Sequence, residues 1–64
     1  MKVRDVLNRL RRDGWVVVRT RGDYCQLNHP VKAGTVTVSG HLGDDIHPKT
    51  LASVWRQAQL EDEP

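Results

Sequence analysis

Tyr24, Cys25, His29, His41 and His47 in this 64-residue chain are of types that suit nucleophilic or acid–base work. His41 and His47 flank Asp44-Asp45, and imidazole with carboxylate is an ordinary zinc set. Their spacing matches no ligand pattern, so the expectation is a solvated loop with no metal and no cofactor. His29 precedes Pro30 and reads as a strand-end histidine that fixes a loop. Cys25 is predicted to face a core, where a free thiol behaves as a small hydrophobe. Tyr24 follows Gly22-Asp23 directly, with Arg19 and Arg21 just upstream. A phenol is neutral near pH 7, yet it can donate a hydrogen bond to a phosphate.

The charges give those side chains a context. Residues 1–22 hold seven Lys or Arg against two Asp, a net +5; residues 23–64 hold three against six, a net −3. The cationic block includes Arg4, Arg11, Arg19 and Arg21. Clustered charge of this kind attracts polyanions, RNA above all; it is equally compatible with a solvated helix face. A single cysteine excludes an internal disulfide and a cysteine-built zinc site. No apolar h-region is visible at the start, and no run approaches the roughly 18 apolar residues of a membrane span. The expectation is a soluble, cytoplasmic protein. Sixty-four residues can build only a small core, so any function sits on a surface or in a shallow groove.

The elements that must position these groups follow from periodicity. Val3, Val6, Leu7 and Leu10 make one helical stripe, and Gly14 is a natural stop, so a helix is predicted over about 2–13. Residues 15–21 are β-branched and aromatic, hence a strand. Gly22-Asp23 is a two-residue hairpin loop, and residues 24–29 return. On that return strand Cys25 and Leu27 point one way; Tyr24, Gln26 and Asn28 point the other. Thr35-Val36-Thr37-Val38-Ser39 alternates cleanly. Pro48 suits the first turn of a second helix with Leu51, Val54, Trp55 and Ala58 as its stripe. Trp15 and Trp55 read as core. The fold class is α+β in the order α-β-β-β-α: a three-stranded antiparallel sheet with two helices on one face. The other face is open and carries hydroxyls, amides and, near the hairpin, arginines. One domain is expected over 1–60, followed by an acidic tail at 61–64.

Several segments together resemble one family. "LRRDGWVVVRTRGD", "QLNHP", "GTVTVSGH" and "DDIHPKTLASVWRQAQL" fall in the order and spacing of the HicA family of toxin–antitoxin proteins, from about residue 3 to 60. The resemblance implies a fold similar to the double-stranded-RNA-binding domain. It also implies an RNase that cleaves mRNA without metal and is held inactive by a HicB-type antitoxin. The family's catalytic histidine follows the hairpin glycine and one further residue. Gly22 matches that glycine, Asp23 the middle position, and Tyr24 stands where the histidine would be. Two glycines usual in the last helix are Lys49 and Gln59 here. With Gln59 in place of a stop glycine, the helix is expected to run on toward Leu60.

The tyrosine changes the chemistry. In metal-free RNA cleavage the 2′-OH attacks the adjacent phosphorus while one group removes its proton and another protonates the leaving 5′-oxygen. Imidazole suits both tasks; an unshifted phenol, with a pKa near 10, suits neither at pH 7. One reading is a toxin whose RNase activity is reduced or abolished by the replacement. Another is that Tyr24 does the chemistry, assisted by arginines. A third is a non-catalytic module that binds RNA or an antitoxin. The residues expected at an RNA surface are Arg19, Arg21, Gly22, Gln26, Arg4 and Arg11.

Overall fold

A computed structural model describes residues 1–60; the acidic tail expected at 61–64 lies outside the described residues. The order is α1 (Val3–Asp13), β1 (Val16–Arg21), β2 (Tyr24–Asn28), β3 (Thr35–Ser39) and α2 (Pro48–Gln57). The strands form one antiparallel sheet in the order β1-β2-β3. This is the expected α+β arrangement, with boundaries within a residue or two of those read from periodicity. Among the described residues no helix is long and apolar enough to cross a membrane.

One core serves all five elements. The α1 stripe Val3, Val6, Leu7 and Leu10 is buried against Leu27, Val36 and Val38 from the sheet, with Val54, Trp55 and Ala58 from the second helical segment. Trp15, 1% exposed, is among the largest fully buried side chains. Cys25 packs against this cluster while half-buried, as strand alternation requires.

α1 has no side-chain N-cap. Its first N–H groups are satisfied instead by the segment before α2: Val3 N–H donates to the Asp44 carbonyl (2.9 Å) and Arg4 N–H to that of Leu42 (3.2 Å). Ile46 N–H in turn donates to the Met1 carbonyl (2.9 Å), and Lys2 Nζ lies 3.6 Å from the Asp45 carboxylate. The polar loop expected around Asp44-Asp45 is therefore a backbone cap for the first helix. His47 caps α2, its Nδ1 accepting from Lys49 N–H at 3.2 Å.

Both helices end alike. After α1, Gly14 takes φ 108°, its N–H donates to the Arg11 carbonyl and Trp15 N–H donates to that of Leu10. After α2, Gln59 takes φ 59°, its N–H donates to the Arg56 carbonyl (3.1 Å) and Leu60 N–H to that of Trp55 (2.7 Å). Each is a Schellman stop, with an apolar pair across it: Leu10 with Trp15, Trp55 with Leu60. The expectation that α2 would run on toward Leu60 is thus corrected. The motif forms with glutamine at the left-handed position because Leu60 gains a place against the core. That gain offsets the roughly 1–2 kcal/mol a Cβ costs there.

Candidate functional site

The open sheet face is ordered by strand register into rows that run across the strands. At the hairpin end Arg21 pairs with Tyr24, and Tyr24 with Ser39. One step back Arg19 pairs with Gln26, and Gln26 with Thr37. Behind that Val16 pairs with Asn28, and Asn28 with Thr35. Directly opposed residues share a face, with Cα atoms about 4.5–5.5 Å apart.

A bulge makes these rows. The β1–β2 register shifts between Val17 and Arg19, leaving Val18 as the extra residue. Val17, opposite Leu27, is half-buried on the covered face. Simple alternation would send Arg19 and Arg21 to that same face. The inserted residue reverses the parity, as bulges do, and turns both arginines out beside Tyr24 and Gln26. Val18 itself is 56% exposed.

The hairpin that presents Tyr24 is fixed on two sides. Gly22 adopts φ 58°, a left-handed value at which glycine carries no Cβ penalty. The Asp23 carbonyl accepts from Gly40 N–H at 2.7 Å, which ties the turn to the end of β3. Tyr24 is half-buried rather than fully exposed; it sits in the central strand, flanked by Arg21 on β1 and Ser39 on β3. Among the described residues, the side chains of Arg19, Arg21, Tyr24, Gln26, Thr37 and Ser39 make no hydrogen bond or ion pair. Asn28 and Thr35 differ: the Thr35 hydroxyl donates to Asn28 Oδ1 at 3.0 Å.

The structure brings Arg19, Arg21, Gly22, Tyr24 and Gln26 together at one end of one face. It does not bring Arg4 and Arg11 there. Both are exposed on α1, whose opposite stripe is buried against the covered side of the sheet. The cationic block of the sequence is thus divided between two sides of the molecule. Ser39 enters the hairpin row only through register; its hydroxyl face was legible from alternation, its partner was not.

His29 has a different task. Its Nδ1 accepts from the N–H groups of both Val31 and Lys32 at 3.0 Å. An acceptor at Nδ1 leaves the proton on Nε2, which donates to the Asp13 carbonyl at 2.7 Å. The ring also meets Trp15 edge-on, centroids 5.2 Å apart. A Cβ at position 14 would lie 2.7 Å from His29 Nε2, so Gly14 serves both the helix stop and this close approach. Lys32 Nζ donates to Asp13 Oδ2 (2.6 Å) and to the Ala58 carbonyl (3.2 Å). His29 and Lys32 thereby join the ends of both helices to the loop after β2. The Lys32 ammonium holds the Asp13 carboxyl below its ordinary value of 3.8, against a smaller opposing effect of burial. The Trp15 indole N–H lies near enough to favour the Asp13 anion but makes no hydrogen bond of standard geometry. Sequence reading placed His29 correctly as a loop-fixing residue and missed Lys32 altogether. A lone lysine in a loop carries no signal of the two acceptors that converge on it.

A comparison with protein families finds one matching model, described as HicA toxin of bacterial toxin-antitoxin, over residues 3–60. No curated protein matches the chain.

Proposed function

The chain belongs to the HicA toxin family, and from that premise we propose that it is an RNA-cleaving toxin of reduced or abolished activity, with Tyr24 in the position of the catalytic histidine. RNA lies across the open sheet face, and the reacting phosphate sits at the hairpin row. The observation that carries this reading is the row itself: a guanidinium, a phenol and a hydroxyl at Arg21, Tyr24 and Ser39 on adjacent strands, none bonded to another described residue. Arg21 and Arg19 supply the positive charge that a phosphate needs. Cleavage forms a P–O2′ bond and breaks the P–O5′ bond. A proton leaves O2′ for a base, and O5′ receives one from an acid. A phenol can donate to the phosphate, but its ordinary pKa suits neither proton transfer at pH 7. A HicB-type antitoxin with an acidic surface is the natural partner for this face, since it would cover the arginines and exclude RNA at once.

Exchange at position 24 tests the assignment. Histidine fits the same strand position without backbone change, so Tyr24→His is expected to fold as well and to cleave RNA at least about 10²-fold faster. Tyr24→Phe keeps the ring and removes the hydroxyl. If the unsubstituted chain cleaves well and Tyr24→Phe does not, the tyrosine is itself catalytic. A folded Tyr24→His that leaves RNA intact would reject the assignment of this position and favour a binding module.

A further inference from the structure

We infer that the second row of the open face, Arg19–Gln26–Thr37, reads the identity of one unpaired base next to the phosphate held at the hairpin row. The inference rests on the reading of this face as an RNA surface.

Register and satisfaction of hydrogen bonds separate the rows by task. The hairpin row is charged and hydroxylic, and contacts to phosphate carry no sequence information. The second row lies two residues further along each strand, about 7 Å away. A base attached to the neighbouring sugar reaches that far. Gln26 presents one amide oxygen and one NH₂, and Thr37 a hydroxyl that both donates and accepts. Neither is used within the described residues. The third row has the same chemical types, Asn28 and Thr35, but they are bonded to each other at 3.0 Å. Among the described residues of the open face, the amide–hydroxyl pair left without an internal partner is therefore the one that adjoins the proposed phosphate position.

Geometry limits what such a pair can read. An open, twisted sheet exposes side chains standing outward from a shallow surface. Only an unpaired nucleotide can lay its base edge against them, and sequence-specific reading of RNA is mostly of this kind. A glutamine amide makes two parallel hydrogen bonds to a base edge that carries an adjacent donor and acceptor, adenine being the usual partner. Gln26 is half-buried in the central strand between Arg19 and Thr37, which restricts its rotamers before binding. The planar guanidinium of Arg19 can stack under the same base.

The test uses the full chain and labelled six-nucleotide RNAs of adenine, cytosine or uracil, with affinity read by fluorescence anisotropy at low salt. The expected result is a spread of about fivefold or more among the three, the scale of one specific amide–base contact. Gln26→Ala and Thr37→Val should each compress that spread to under about twofold, while Thr35→Val preserves it. Gln26→Glu keeps the side-chain shape and replaces the NH₂ donor, so the order of the three should change even if the alanine variant folds poorly. Binding of all three RNAs without discrimination, or discrimination untouched in Gln26→Ala, Gln26→Glu and Thr37→Val, would overturn this inference and leave the RNA surface standing. Failure of every RNA to bind the unsubstituted chain would overturn both.

Discussion

The contrast between Tyr24 and His29 shows how little residue type decides alone. The imidazole that could catalyse is consumed by structure, with both ring nitrogens bonded to backbone groups. The phenol, less suited to proton transfer, holds the exposed row. The same cluster that consumes His29 makes stability depend on pH through Asp13. Its folded pKa lies below 3.8, first because of the Lys32 hydrogen bond, so between the two values the unfolded chain binds more protons. Stability from this pair is complete above the ordinary carboxylate range and is lost as pH falls through the lower, folded value. Lys32→Met removes the donor. It should lower stability by on the order of 1 kcal/mol at pH 7, as expected of a partly buried charged pair. The deficit should shrink as pH falls below about 4, without vanishing, because the bond to the Ala58 carbonyl is independent of Asp13 protonation. Urea unfolding of both proteins from pH 7 to pH 3 measures this. A deficit constant over that range would show that the carboxylate contributes nothing to what Lys32 does.

At the scale of elements, the two helix ends give a direct comparison. The same stop is built on glycine at residue 14 and on glutamine at residue 59. Gln59→Gly should remove the Cβ penalty of the left-handed conformation and give back part of the gain as unfolded-chain entropy. The expected net effect is a stabilisation of about 0.5–1 kcal/mol, read by thermal or urea unfolding. A neutral or destabilising result would mean that the glutamine side chain is held by contacts of its own. The helices, the strands and the covered face were legible because each rests on a period that one residue's error does not erase. Two features were not. Glutamine itself carries no left-handed signal at residue 59, where only the family's usual glycine points to a stop; the conformation follows from Leu60 docking on the core, a tertiary contact. Nothing local marks Val18 as a bulge in a run of three valines. Yet the bulge decides which face Arg19 and Arg21 occupy. Proximity to the hairpin predicts their place beside Tyr24, while strict alternation from Val17 would bury them. Arg19, Arg21, Gly22, Tyr24 and Gln26 thus share one end of the open face while Arg4 and Arg11 do not, and the parity of the two arginines depends on a register shift that composition does not encode.

For the whole molecule, the decisive fact is that one cationic sequence block becomes two surfaces. Arg19 and Arg21 stand on the open face of the sheet; Arg4 and Arg11 stand on the outer side of a helix packed against the other face. On the proposed reading, a single RNA strand lying on the sheet would engage the first pair and not the second. Neutralising a phosphate releases condensed counterions, so removing one cation from the backbone path flattens the log–log salt dependence of affinity by about 0.7 for single strands. Arg19→Glu with Arg21→Glu should therefore weaken binding strongly at low salt and reduce the slope by more than about one. Arg4→Glu with Arg11→Glu makes the same change in net charge on the far side. It should weaken binding only slightly, through the long-range field, and leave the slope nearly unchanged. The paired design matters because the two double variants are matched in total charge. A difference between them reports position alone. Titrations of one labelled single-stranded RNA across a salt series provide the slopes. Equal flattening by both variants would place RNA around the edge of the sheet and onto α1, and a larger effect from the helix pair would move the binding surface there altogether. Only an effect confined to Arg19 and Arg21 puts the phosphate where Tyr24 can touch it.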